Sequence, residues 1–168
     1  MEGRKLLYLI RHAQAERARA GVGDADRTLT REGREDTVLA ARGLKRLGVK
    51  LDVVLTSPLR RAQETARLLA LGLQVDVVRH DALAPGSPPD ELLLSLAEFS
   101  NAASLALVGH EPDMGRLASV LLVGDPLRIE MPFKPGQVAA VEVGAIPPRC
   151  PGLLRWFATQ QQLSFIGS

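Results

Sequence analysis

Short, nearly continuous apolar runs recur along the first two thirds of the chain and predict buried strands. Runs of this kind are typical of strands that are covered on both faces of a parallel sheet. The predicted strands cover residues 5–10, 52–56, 75–78 and 104–108.

Longer segments with helical spacing separate these runs, and capping signals mark their ends. Thr30 is a predicted N-cap, and Ser57 followed by Pro58 reads as an N-cap and a first-turn proline. Glycines mark three predicted stops. The predicted helices run from Thr30 to Gly48, from Ser57 to Gly72, over residues 88–99, and from about Pro112 to Gly124.

The order of these elements predicts the architecture. Alternating strands and helices imply right-handed crossovers, hence an α/β fold in which helices cover both faces of a mainly parallel sheet, as a three-layer α/β/α sandwich. Residues 138–143 and 153–158 have no convincing helix between them and are expected to pair as an antiparallel C-terminal extension. Residues 84–89 are a predicted rim loop, so residues 1–168 are expected to form a single domain.

Composition narrows the class of protein further. A chain of 168 residues, 46% of them apolar, can bury a core without disulfides. Cys150 is the lone cysteine, which excludes an internal disulfide and a cysteine-based zinc site and favours a reducing compartment. The first apolar run is too short for a signal peptide or a membrane span, so we expect a cytoplasmic protein that is not bound to a membrane. A net charge of +2 and 4% aromatic residues give little material for a nucleic-acid surface.

The candidate chemistry lies where the predicted parallel strands end. Arg11 and His12 follow the first strand, Ser57 follows the second, and His110 follows the fourth, while Arg61 lies in the first turn of the second helix. Ligands bind beyond the carboxyl ends of strands in such sheets. Guanidinium groups and helix N-termini suit a phosphate, and imidazoles can attack or donate protons near neutral pH. The pattern therefore indicates phosphoryl transfer, and metal binding is disfavoured because no two histidines have ligand spacing.

Four ordered motifs carry a resemblance to a known family: LIRHAQAE, LT..G, TSPLRRAQETA and VGHEPDM. In this order the chain resembles the histidine phosphatase superfamily, which includes phosphoglycerate mutases and many small phosphatases. The RHA variant, the short chain and the SPxxRAxxT stretch are most similar to bacterial phosphohistidine phosphatases of the SixA type. The resemblance implies a phosphoglycerate mutase-like fold and a phosphatase without a cofactor.

The resemblance also implies roles for four side chains. His12 corresponds to the residue that is transiently phosphorylated, and Arg11 to its neighbouring phosphate ligand. Arg61 corresponds to the second guanidinium and His110 to the second histidine, which contacts the transferred group. Together these residues are expected to form one pocket.

Local spacing adds detail to these assignments. Because the arginine of the S-P-x-x-R motif falls four residues after Ser57, Arg61 and not Arg60 is the expected ligand. Ser57 is expected to act first as an N-cap, with its hydroxyl at the right end of the sheet to reach phosphate. Neighbouring strand residues point to opposite faces, so Arg11 and His12 converge only if the backbone leaves the strand after them.

The proton donor and the substrate are less constrained. Asp81, just after the third strand, is the candidate acid, and the alternative is that Asp81 is only a residue of the rim.

A phosphohistidine substrate needs less help from an acid, and the chain has no long insertion that would close over a small substrate. A phosphohistidine on a protein is therefore the expected substrate. Two alternatives remain: a phosphatase acting on a small phosphate ester, and a non-catalytic module that binds phosphorylated partners. The sequence leaves the oligomeric state open.

Overall fold

The computed structural model describes residues 3–149 and 151–168, and it contains a six-stranded mixed sheet. Cys150, on which the disulfide argument rests, lies outside the described residues. The strands are β1 (Lys5–Arg11), β2 (Val53–Thr56), β3 (Asp76–Arg79), β4 (Ser104–Gly109), β5 (Val138–Val143) and β6 (Leu153–Ala158). Their order in the sheet is β3-β2-β4-β1-β5-β6, with parallel pairing from β3 to β1 and antiparallel pairing from β1 to β6. The predicted parallel sheet with an antiparallel extension is confirmed.

Five α-helices and three short 3₁₀ helices complete the described part of the fold. None of these helices is long and apolar enough to cross a membrane. The α-helices are α1 (Arg31–Arg46), α2 (Arg60–Leu73), α3 (Pro89–Ser95), α4 (Asp113–Val123) and α5 (Gln160–Gly167). The 3₁₀ helices are Asp24–Asp26, Asp81–Leu83 and Leu96–Phe99, the last of which continues α3.

Strand β1 shows how the sheet builds two cores. Leu7 and Leu9 are fully buried in the cluster that includes side chains of α3 and α4. Tyr8 and Ile10 belong to the cluster on the other face, with side chains of α1, α2 and α5. Burial of each such leucine contributes about 1.5–3 kcal/mol. Because alternate residues face opposite helical layers, the run is apolar throughout, and the three-layer architecture is confirmed.

The predicted helix boundaries were confirmed for α1 and wrong for α2. The Thr30 hydroxyl accepts a 2.9 Å hydrogen bond from the Gly33 backbone N–H, as an N-cap does. Helix α2 begins only at Arg60, with Leu59 at the N-cap, so Ser57 and Pro58 precede the helix instead of starting it. The helix also passes through Gly72, where an added Cβ would lie 2.7 Å from the Cβ of Ala41. That glycine therefore serves the close packing of α2 on α1 rather than a helix stop.

Strand β3 is an exposed edge strand and not the doubly buried strand that its apolar run predicts. It pairs only with β2, and Val78 is 40% exposed. A short apolar run has the same appearance at the edge and in the centre of a sheet, so this prediction was wrong for a topological reason.

Helix α5 was not predicted. It packs on α1, with Leu163 fully buried and Gly167 set against the backbone of Leu39. Its start carries a capping box, in which Thr159 and Gln162 each satisfy the other's backbone N–H. The T-x-x-Q spacing is a sequence signal that could have located this helix.

Candidate functional site

The backbone leaves β1 immediately after Arg11. The His12 N–H donates to the carbonyl of Gly109 at the end of β4, at 3.0 Å. The next N–H, of Ala13, donates at 3.0 Å to the hydroxyl of Thr65 on α2. Helix α2 therefore fixes the turn in which the chain leaves the strand. Arg11 and His12 can converge only because the chain turns there.

The contacts of His12 orient its ring so that Nδ1 carries the proton and Nε2 keeps its lone pair. Its Nδ1 lies 2.7 Å from the Ala13 carbonyl oxygen, which can only accept, so Nδ1 carries the proton. The Nε2 lone pair faces Arg61, whose Nε donates to it at 3.3 Å. Burial, followed by the positive charges of Arg61 and Arg11, lowers the pKa of His12 to about 4. At neutral pH the imidazole is therefore uncharged and its Nε2 is nucleophilic.

His110 lies directly beside His12, with 5.2 Å between the ring centroids. Its Nε2 is 2.7 Å from the Oγ of Ser57, a fully buried residue at the end of β2. Ser57 Oγ also accepts the Leu59 backbone N–H at 3.2 Å, so its own hydrogen is free to bond His110. Burial, and then the neighbouring His12 and Arg61, lower the pKa of His110 to about 3. The second imidazole is thus also neutral.

The two neighbouring arginines at the start of α2 take different positions. Arg61 is 5% exposed and reaches His12, whereas the side chain of Arg60 is 59% exposed and pairs with Glu64 at 3.3 Å. The structure therefore brings Arg61 into the site and leaves Arg60 on the surface.

Arg61 has a further partner that sequence reasoning missed. Its Nη1 donates to the backbone oxygen of Asp24 at 2.7 Å, and its Nη2 to the Asp24 carboxylate at 3.1 Å. Asp24 lies in a loop without hydrophobic periodicity, so nothing in the pattern of the chain marks it.

Two buried nitrogen atoms of the site have no hydrogen-bond partner among the described residues, Arg11 Nε and His110 Nδ1. Arg11 uses its Nη1 to donate to the Phe133 carbonyl at 2.7 Å, which fixes the guanidinium. Buried polar groups are nearly always satisfied, so each orphan calls for an explanation. A ligand that carries several acceptor oxygens would satisfy both.

Glu111 is a second carboxylate that sequence reasoning missed. It is near enough to Arg11 for their charges to interact, and it accepts the Gly115 backbone N–H at 2.8 Å. Burial raises the pKa of Glu111. Its place directly after His110, beyond the end of β4, is a signal that could have identified it.

Asp81 lies on the surface, away from these contacts. Its side chain is 76% exposed and accepts from Arg79 Nε at 2.7 Å. No hydrogen bond or ion pair within the described residues joins Asp81 to Arg11, His12 or Arg61, or to His110.

The arrangement combines fixed positive charge with two neutral imidazoles at one edge of the sheet. Phosphoryl transfer is catalysed mainly by positioning and by neutralising charge on the equatorial oxygens, which two guanidinium groups can do. Among residues 3–149 and 151–168, no group of three or more potential ligands could hold a metal ion.

Comparison with known proteins identifies similar sequences. The family model described as the histidine phosphatase superfamily (branch 1) matches residues 7–85. An uncharacterized protein of Picosynechococcus sp. (strain ATCC 27264 / PCC 7002 / PR-6) is 39% identical over 123 residues, which cover 70% of this chain and 73% of that protein. A 2,3-bisphosphoglycerate-dependent phosphoglycerate mutase of Bartonella bacilliformis is 41% identical over 66 residues, but the match covers only 32% of the mutase.

Solved structures of similar fold cover nearly the whole chain. The protein histidine phosphatase SixA complexed with tungstate superposes with a TM-score of 0.78 and 25% identity, covering 94% of this chain and 99% of that one. A putative phosphohistidine phosphatase SixA from Nakamurella multipartitia superposes with a TM-score of 0.78 and 26% identity, covering 93% and 96%. A putative alpha-ribazole-5'-P phosphatase from Escherichia coli is 21% identical with a TM-score of 0.71 and shares the fold.

Proposed function

The chain belongs to the histidine phosphatase superfamily and is a phosphatase, and from this premise we propose that it hydrolyses phosphohistidine on a protein through a phosphorylated His12. The observation that carries the proposal is the contact between Arg61 Nε and His12 Nε2, at 3.3 Å, beside a second neutral imidazole. In the proposal His12 is an uncharged nucleophile beside a fixed cation in a buried site, and this contact supports that role.

The two unpartnered donors support the binding half of the proposal. In it, Arg11 Nε and the Nδ1–H of His110 donate to oxygens of the bound phosphoryl group. In this arrangement the Ser57 hydroxyl donates to His110 Nε2, so that the ring proton lies on Nδ1, and the 2.7 Å contact between Ser57 Oγ and Nε2 supports it. Arg61 neutralises charge on the oxygen nearest His12.

The reaction then proceeds in two balanced steps. The lone pair of His12 Nε2 forms a bond to phosphorus while the P–N bond of the substrate breaks and its imidazole departs. The proton on His12 Nδ1 stays in place against the Ala13 carbonyl, which stabilises the phosphorylated ring. Water next attacks phosphorus, the bond to Nε2 breaks, and both hydrogens of the water leave with inorganic phosphate. His12 returns to its neutral form.

The leaving group is the reason to favour phosphohistidine over a phosphate ester. A phosphohistidine that is protonated on its second ring nitrogen departs as neutral imidazole, so no acid has to protonate it. An alkoxide would need such an acid. The Asp81 carboxylate accepts a hydrogen bond from Arg79 on the surface, and its assignment as that acid stays a prediction. The two SixA structures, at 25% and 26% identity, support the same substrate class.

Rapid quenching with a radiolabelled phosphohistidine peptide tests the proposal. We expect a label on the protein that is stable in base and labile in acid, and that is absent from the His12→Asn variant. The same enzyme should hydrolyse the peptide in preference to a panel of metabolite phosphate esters. A clear preference for esters would replace the substrate class, and tight phosphate binding without label or hydrolysis would make the protein a binding module.

A further inference from the structure

Asp24 presents two oxygens to the arginine that the proposed function assigns to phosphate. Its carboxylate Oδ2 lies 3.1 Å from Arg61 Nη2, and its backbone oxygen lies 2.7 Å from Nη1. A phosphoryl group binds a guanidinium in the same way, through two oxygens on neighbouring nitrogens. Asp24 therefore occupies the two terminal nitrogens of Arg61, while Arg61 Nε contacts His12.

The same carboxylate also contacts a second guanidinium. Oδ1 of Asp24 lies 2.9 Å from Arg27 Nε and 2.8 Å from Arg27 Nη2. Burial works to raise the pKa of Asp24, but the hydrogen bonds from Arg27 and Arg61 hold the pKa below its ordinary value. Asp24 is therefore an anion at neutral pH, held between two arginines as a phosphate would be.

The loop that carries Asp24 is joined to the protein at few points. We define the 16–28 loop by the hydrogen bond from Glu16 N to Thr28 O, at 2.9 Å, which closes its base. Within the described residues, the hydrogen bonds and ion pairs that connect this loop to elements beyond it are those from Arg61 to Asp24. No residue of the 3₁₀ helix Asp24–Asp26 is buried. The contacts between Arg61 and Asp24 are thus the main polar contacts that an opening of the loop would break.

We propose that Asp24 competes with the phosphoryl group for Arg61 and so sets the affinity of the site, with the 16–28 loop moving aside when a substrate binds. The inference rests on the proposed function, because it takes Arg61 as a phosphate ligand. Displacement is inexpensive, since the Asp24 side chain is 64% exposed and can keep its bond to Arg27. Arg61 is buried, and in the displaced state the phosphoryl oxygens take the place of Asp24 as partners of its guanidinium.

Binding of inorganic phosphate, measured by calorimetry at constant pH and ionic strength, tests the inference. Asp24→Asn and Asp24→Ala should bind phosphate about threefold to tenfold more tightly than the wild type. Asp26→Asn is the matched control, because it removes the same charge from the same turn without a contact to Arg61. That control should change the affinity less than about twofold, which separates local competition from general repulsion.

Steady-state kinetics distinguish competition from other roles of the carboxylate. We expect the Asp24 variants to lower KM for the phosphohistidine peptide and to leave the covalent label on His12 intact. Phosphate affinity that is unchanged or weakened in both variants would overturn the inference, as would a loss of kcat at constant KM. A labelled His12 together with unchanged phosphate affinity would overturn the role of Asp24 alone and keep the proposed function.

Discussion

Two histidines that follow strands in the same way have different surroundings. His110 follows β4 in the centre of the sheet, and His80 follows β3 at its edge. Both are buried, and each has its Nε2 against a serine hydroxyl, at 2.7 Å from Ser57 and 2.6 Å from Ser95. An acidic residue follows each of them in the chain. Yet His110 contacts the ring of His12, whereas His80 packs edge-on against Phe99.

The difference shows that position in the sheet, and not local sequence, decides which histidine joins the site. Strand β4 lies between β1 and β2, so residues beyond its end meet those that follow both neighbours. Strand β3 pairs with β2 alone, and the segment after it meets α3 and the turn that continues it. A strand with neighbours on both sides supplies a shared pocket, as expected where crossovers diverge in an open sheet.

Replacing His12 at the centre of the sheet and His80 at its edge is the most direct test of this difference. His12→Asn removes the proposed nucleophile, and we expect phosphatase activity to fall by about a thousandfold or more, together with some loss of thermal stability because the ring also loses two buried hydrogen bonds. His80→Asn should lower thermal stability but keep the activity, because it loses a buried hydrogen bond worth about 1 kcal/mol but no contact with the site. Turnover and melting temperature of the two variants decide the matter. Comparable loss of activity in both would show that the edge is part of the site.

The two arginines at the start of α2 allow a similar test within one helical turn. Arg61→Gln should reduce turnover by about 10² to 10³, by analogy with the loss of one oxyanion donor. Arg60→Gln is the control, because its side chain is mostly exposed and pairs only with Glu64. We expect that variant to stay within about twofold of the wild type. Equal effects in a steady-state assay would contradict the assignment of Arg61.

The two serines offer the same comparison with a smaller effect. Ser57→Ala leaves His110 Nε2 without its partner, and we expect kcat to fall about tenfold because the ring is no longer oriented. Ser95→Ala removes the equivalent bond from His80 and should leave kcat unchanged. Since Ser57 acts through His110, its loss should also alter the pH profile. Partial rescue by Ser57→Thr, which restores a hydroxyl, would separate orientation from packing.

Much of this site could be predicted from the sequence because parallel strands have their carboxyl ends at one edge. Residues 5–10 and 104–108 were predicted as strands, so Arg11, His12 and His110 were expected at the same edge of the sheet, and the motifs around them distinguished them from His80. The boundaries of β5 and β6 were also confirmed.

Other features depend on contacts that leave no local signal. Whether β3 is central or at the edge depends on which strands pair, which an apolar run does not report. The contact of Asp24 with Arg61 joins an aperiodic loop to a helix 37 positions further along the chain. The role of Gly72 likewise depends on Ala41 of a different helix.

Lowering the pH from 7 to 5 should leave the imidazole ring of His12 mostly neutral. With the pKa of His12 lowered to about 4 by burial and by nearby arginines, about nine tenths of the rings stay neutral at pH 5. An ordinary imidazole would be about 3% neutral at that pH. Nitrogen NMR of the His12 ring measures this fraction, and a midpoint near 6.5 would contradict the buried position of the ring.

The lowered pKa of His12 also makes the folded protein less stable in acid. The unfolded chain takes up protons near the ordinary pKa of about 6.5, before the folded His12 does. The contribution to stability is therefore complete above that pH and is lost as the pH falls from about 6.5 towards about 4. Unfolding free energies of His12→Asn should show a shallower decline over this range. An identical slope in both proteins would indicate that other groups govern it.

The smallest expected effect concerns the carboxylate that follows the edge strand. Asp81 accepts a hydrogen bond from Arg79 on the surface, and its side chain is 76% exposed. We therefore expect Asp81→Asn to leave hydrolysis of a phosphohistidine peptide within about twofold of the wild type, since the imidazole leaving group needs no acid. The assay should be repeated with a phosphate ester, whose leaving oxygen must gain a proton. A large loss with the ester alone would identify Asp81 as the acid for that substrate, and a large loss with both would place the end of β3 in the active site.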